Sequence, residues 1–111
     1  MKKVEAIIRP MRLQAVKNAL VNEGIESLTI SDAKGCAGEG QVEMYRGAKY
    51  VVDFLPKIKI EVVLEDRFAA RVARIIGSSV GACRPGDQEV HLLPVEDAIR
   101  IRTGQHGDAA V

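Results

Sequence analysis

The chain is short of several features that would each announce a class of protein. Its 111 residues hold only two cysteines, Cys36 and Cys83. They lie too far apart for a Cys-x-x-Cys redox or zinc motif and are too few for the disulfide framework of a secreted domain, so both read as free thiols. Net charge is almost nil, since sixteen Lys and Arg face fifteen Asp and Glu for a formal +1. No global field then draws the chain to nucleic acid or to an anionic membrane, and any anion site must be local. No apolar run reaches the roughly eighteen residues of a spanning helix. The start Met1-Lys2-Lys3-Val4-Glu5 lacks the apolar segment of a signal peptide, and a cytoplasmic protein is expected. Catalytic signatures are missing as well: there is no Gly-x-Ser-x-Gly, His-Glu-x-x-His, Walker loop or paired-acid motif, so an enzyme is not expected. His91 and His106 are well separated and do not read as a metal pair.

What is present is a pattern of periodicities that fits one domain over residues 1–111. Val4, Ala6 and Ile8 alternate with charged neighbours up to Pro10, a first strand. Leu13, Val16 and Leu20 recur at helical spacing, and Gly24 stands where a left-handed helix end is expected. A second strand is expected from Ile25 to Lys34. A third puts Ile58, Ile60, Val62 and Leu64 on one face and Lys57, Lys59, Glu61 and Val63 on the other. Asp66 is expected to cap a second helix with the stripe Phe68, Val72, Ile75 and Ile76, ending near Gly77. The turn Arg84-Pro-Gly-Asp87 leads to a fourth strand, Val90 to Leu93. The order β-α-β-β-α-β identifies an α+β, ferredoxin-like fold, an antiparallel sheet with both helices on one face.

Two stretches point toward function. Some twenty residues, Gly35 to Pro56, join the second and third expected strands, where compact domains usually spend about 4–6. Such length favours a functional loop, and Tyr45 and Tyr50 give it apolar bodies with polar tips. The second stretch is the tail, where Ile99 and Ile101 alternate with Arg100 and Arg102. On an extended strand two arginines at this spacing project together, about 6.6 Å apart, a separation suited to gripping neighbouring phosphates. The amides of Arg84-Pro-Gly-Asp87 and of the glycine-rich Gly35 to Gly40 are further candidates for an anion-binding concavity.

Taken together, Met1-Lys-Lys-Val-Glu-Ala-Ile-Ile-Arg-Pro10, Glu43-Met-Tyr-Arg-Gly-Ala-Lys-Tyr50-Val-Val-Asp-Phe-Leu-Pro-Lys57, Ile58-Lys-Ile-Glu-Val62 and Ala98-Ile-Arg-Ile-Arg-Thr-Gly104 resemble the PII signal-transduction family over nearly the whole chain. The resemblance implies a homotrimer that binds ADP, AMP or ATP in clefts between subunits and regulates a membrane transporter or an enzyme through the long T-loop. Residue by residue it implies that Thr29, Glu61 and Val63 line the adenosine pocket. Gly35 and Ala37 at the loop base, with Arg84, Gly86 and Asp87 in the B-loop, lie toward the phosphates. Arg100 and Arg102 are implied to reach phosphate from the adjacent subunit. Lys57 matches the lysine that takes a carboxylate of 2-oxoglutarate, Arg46 the loop-tip arginine that can plug a membrane channel, and Tyr50 the position uridylylated in some bacterial relatives.

The chain departs from the family pattern at three places, one of them Lys49, which stands where relatives carry a small or acidic residue before the modified tyrosine. Many relatives carry Gly-Phe-Gly-Arg-Gln-Lys-Gly at the loop base, and here Gly35-Cys-Ala-Gly-Glu-Gly40 is one residue shorter. Relative to the family's glutamine at this loop base, the resemblance implies that the Glu39 carboxylate can stand in as an oxygen ligand for a hard cation but would repel a dicarboxylate, so a weakened 2-oxoglutarate response is expected. The common Thr-Gly-Lys-x-Gly-Asp-Gly-Lys is here Ala82-Cys-Arg-Pro-Gly-Asp-Gln-Glu89, which places the carboxylate of Glu89 where a lysine meets phosphate. Bicarbonate or a metal ion is an alternative second signal, tied to inorganic-carbon uptake, carboxysomes or metal efflux. A copper-tolerance-type metal trimer shares the fold but lacks the Tyr45-Arg-Gly-Ala-Lys-Tyr50 loop.

Overall fold

The computed structural model describes residues 1–35, 41–45, 48–52, 54–80 and 89–111. Cys36, Ala37, Glu39, Arg46, Cys83, Arg84, Gly86 and Asp87 therefore lie outside the described residues. The chain forms β1 (Lys2–Ile8), a 3-10 turn (Pro10–Arg12), α1 (Leu13–Asn22), β2 (Thr29–Gly35), β3 (Gln41–Tyr45), β4 (Ala48–Val52), β5 (Leu55–Leu64), α2 (Asp66–Ser79), β6 (Glu89–Pro94) and a last 3-10 turn (Gly107–Ala110). Four strands make one sheet in the order β2-β5-β1-β6, and β3 and β4 make a separate ladder. Every pairing in the larger sheet is antiparallel. With the two helices this is the ferredoxin-like arrangement that the alternation of elements predicts.

The core lies between sheet and helices because alternate residues of β1 and β5 point to one side. Val4, Ala6 and Ile8 meet Ile58, Ile60, Val62 and Leu64 there, roofed by Val16 and Leu20 of α1 and by Ala69, Val72, Ile76 and Val80. All thirteen are buried, and at about 1.5–3 kcal/mol for each large side chain their burial is the main drive to this topology. Helix α1 ends at Gly24, whose φ is +85°. The Gly24 amide bonds the Val21 carbonyl and the Ile25 amide the Leu20 carbonyl, the paired closure of a Schellman motif. That closure turns Ile25 back against the core.

Several boundaries differ from the sequence expectation. Strand β2 starts at Thr29, not Ile25, because Ile25 completes the helix end and Leu28 is drawn to the core instead of a ladder. The long connection holds the hairpin β3–β4, with Glu43 paired to Tyr50, so it is not an unstructured link throughout. Asp66 does not cap α2. Glu65 occupies that position, and Asp66 is the first helical residue, ion-paired to the Met1 amino group at 2.9 Å. Helix α2 runs past Gly77 to Ser79. Its buried stripe is Ala69, Val72 and Ile76, while Phe68 is 41% exposed beneath the Arg67 guanidinium. No helix among the described residues is long and apolar enough to cross a membrane.

Candidate functional site

The sheet face turned away from the helices carries the polar half of each alternation. Thr29 of β2 stands opposite Glu61 of β5, and Lys3 of β1 stands opposite Val63, two residues further along. Because side chains two apart share a face, these four gather at one place. They line a cleft of about 250 Å³ together with Ser27, Arg100, Ala110 and Val111. Thr29, Glu61, Val63 and Arg100, all singled out in the sequence, are thus brought together. Lys3, Ser27 and the chain's last two residues were not. The β1 alternation contained the signal for Lys3, but which strand neighbours Glu61 is decided only by the strand order.

Electrostatics on this face are locally balanced. Register sets Glu5 directly opposite Glu61, a repulsive pairing if left alone. Lys3 Nζ lies 3.3 Å from Glu5 and 3.1 Å from Glu61, and Lys59 Nζ lies 3.7 Å and 3.6 Å from the same two carboxylates. The Lys3 ammonium beside it is the chief cause that holds the Glu61 carboxyl below the usual carboxylate range. Glu61, followed by Glu5, raises the Lys3 ammonium in return. Both groups are charged at neutral pH, so the cleft floor offers a fixed carboxylate and a fixed cation side by side.

Arg100 reaches the cleft from a folded-back tail. The Arg100 amide donates to Gln105 O at 2.8 Å, Gly104 N–H donates to Arg100 O at 2.8 Å, and Gly107 N–H to Ala98 O at 3.1 Å. Ile99 bridges His106. Residues 101–103 are a turn, which corrects the expectation of an extended strand carrying both arginines on one side. Arg100 sits at the neck of this hook. Arg102 sits in its turn and is not among the residues lining the cleft. Arg100 shares the cleft with Thr29, Glu61 and Val63 of its own chain.

A second cleft, of about 480 Å³, lies at the base of the long connection, lined by Pro10, Asp32, Ala33, Lys34, Phe54, Pro56, Lys57 and Ile58. Lys57 is only 7% exposed, and its stem lies against Gly35. Glu89, expected to disturb phosphate binding, bonds His91 at 2.8 Å. His106 has its place in the tail bridge. Among the described residues no group of three or more His, Cys, Asp or Glu could hold a metal ion. Of Tyr50, the backbone stands in β4 opposite Glu43.

Comparison with known proteins fits this arrangement. The family profile described as nitrogen regulatory protein P-II matches residues 1–105. The chain is 49% identical over 112 residues to the nitrogen regulatory protein P-II of Azospirillum brasilense, with all of both chains covered. The proteins of the same name from Cereibacter sphaeroides and Rhodobacter capsulatus are 49% and 50% identical, again over all of both chains. A full-length match at this level, on a ferredoxin-like sheet with a long connection between β2 and β5, is decisive: the chain belongs to the nitrogen regulatory protein P-II family of signalling proteins.

Proposed function

We propose that the protein is a homotrimeric regulator that binds ADP, AMP or ATP between subunits and passes the nucleotide state to a target through the β2–β5 connection. The observation that carries this reading is the convergence of Arg100, Lys3, Glu61 and Thr29 on one cleft. A guanidinium and an ammonium suit phosphate, and a carboxylate and a hydroxyl suit ribose hydroxyls or adenine amino groups. At about 250 Å³ the cleft is smaller than the usual range of roughly 300–1,000 Å³ for small-molecule sites, so part of the ligand must rest on another surface. A neighbouring copy supplies it, contributing Gly35, Ala37, Arg84, Gly86 and Asp87, with Arg102 completing the phosphate contacts. Two further features support self-association: Ile99 and Ile101 on the tail hook are 69% and 99% exposed, apolar side chains that a neighbouring copy would cover.

Nucleotide occupancy acts by favouring one conformation of the connection, which presents Arg46 and Tyr50 to a membrane transporter or an enzyme. Lys57 and Glu39 flank the second-effector position, where Glu39 repels 2-oxoglutarate and keeps its effect small. The shared name of the relatives favours nitrogen regulation as the context over inorganic carbon or metal efflux. Titration calorimetry with ADP, AMP and ATP, each with and without Mg²⁺ and 2-oxoglutarate, is the test. Binding of at least one nucleotide with little gain from 2-oxoglutarate is expected, and silence toward all three overturns the proposal.

A further inference from the structure

The tail hook that delivers Arg100 is closed at its base by one side chain. A single oxygen of Asp97, Oδ1, accepts from the amide of Ala98 at 2.8 Å and from the amide of Gly107 at 2.9 Å, ten residues on. Above this clasp the two limbs of the hook are joined by Gly107 N–H to Ala98 O, by the Ile99–His106 bridge and by Arg100 N–H to Gln105 O. The side chains of Thr103 and Gln105 bond each other in the turn at 3.1 Å. Hydrogen bonds carry the hook among the described residues, because Ile99 and Ile101 are largely exposed and give it no apolar anchor. The guanidinium of Arg100 touches the 3-10 turn that follows, donating to Ala110 O at 3.4 Å.

We propose that Asp97 is a positioning residue for Arg100: by clasping Ala98 and Gly107 it fixes the neck of the hook and so sets where the guanidinium enters the cleft beside Thr29, Glu61 and Lys3. The inference rests on the nucleotide reading of that cleft for its functional consequence, and on the two amide bonds alone for the clasp. An ionised carboxylate suits the task, since bonds from amides to a charged acceptor are roughly twice as strong as neutral ones. The two amides hold the Asp97 carboxyl below the usual aspartate range, the Gly107 bond contributing most. It therefore stays charged throughout the physiological range. An asparagine keeps an oxygen in the same place and forfeits only the charge.

The experiment compares Asp97→Ala and Asp97→Asn with the unmodified full-length protein, by calorimetry with ADP and with adenosine and by amide hydrogen exchange without ligand. Asp97→Ala is expected to weaken ADP binding about tenfold while adenosine stays within about twofold, and Asp97→Asn to keep ADP within about threefold, as for loss or weakening of a charged hydrogen bond. The Gly107 and Arg100 amides are expected to exchange faster in Asp97→Ala alone. Equal losses for ADP and adenosine overturn the proposal, because a general structural defect does not discriminate by phosphate. So does unchanged ADP affinity in Asp97→Ala. If the unmodified protein binds neither ligand, the nucleotide reading fails, and exchange decides the clasp: unchanged Gly107 and Arg100 amides in Asp97→Ala overturn it, faster ones uphold it.

Discussion

Gly35 and Lys57 approach so closely across the β2–β5 pair that a Cβ built on Gly35 would stand 3.1 Å from both Cγ and Cε of the lysine. Because Lys57 is 7% exposed, its stem has little room to retreat. Gly35→Ala is therefore expected to destabilise the fold by about 1–3 kcal/mol, the usual cost of overpacking. The change should appear in urea unfolding as a lower midpoint at constant slope. An unchanged midpoint would mean that the lysine stem moves freely.

The buried face of β5 sets the stability scale. Ile60 is fully buried at the middle of the core, and Ile60→Ala is expected to cost about 2–5 kcal/mol. Met11, 76% exposed, serves as the control, with Met11→Ala expected within about 0.5 kcal/mol of the parent. Thermal unfolding of the two variants side by side checks both.

Much of this architecture was legible in the sequence because burial writes itself as periodicity. Ile58, Ile60, Val62 and Leu64 mark β5, and Leu13, Val16 and Leu20 mark α1, since in each case one face must leave water. The helix end at Gly24 was equally readable, as left-handed backbone favours glycine. The misreadings arose where tertiary contacts decide. Phe68 has the spacing of a core residue yet lies to the side of the stripe that Ala69, Val72 and Ile76 bury. Arg100 and Arg102 alternate as in a strand, but Gly104 N–H bonds the Arg100 carbonyl and turns the chain back. Lys3 was invisible as a cleft residue because its nearness to Glu61 follows from β1 lying beside β5, a fact of topology and not of spacing.

The Lys3–Glu61 pair makes stability depend on pH at both extremes. Glu61 has a lowered value in the folded state, so the folded chain binds fewer protons there than the unfolded one. Its contribution is present above the ordinary carboxylate value of about 4.3 and is lost as pH falls through the lower folded value. Lys3 is raised, so its contribution is present below the ordinary lysine value of about 10.4 and is lost as pH rises through the higher folded value. Lys3→Met should flatten both flanks of the stability profile relative to the parent. Chemical unfolding between pH 2 and 11 (about this range spans both groups) reads the difference, and identical flanks would show that the pair adds nothing to folding.

Ile101 offers the most direct test of self-association, because at 99% exposed it makes almost no contribution within one chain. Burying an isoleucine against a partner gains about 1.5–3 kcal/mol, and a carboxylate in its place would have to be desolvated without a partner. Ile101→Asp is thus expected to leave the unfolding of a single subunit nearly unchanged while shifting the solution mass from three chains toward the 12.1 kDa of one. Sedimentation equilibrium over a range of concentrations separates the two effects. A parent protein that sediments as one chain would remove the neighbouring surface on which the proposed nucleotide cleft depends. A variant that stays trimeric would place Ile101 outside the contact and leave Ile99 as the residue to test next.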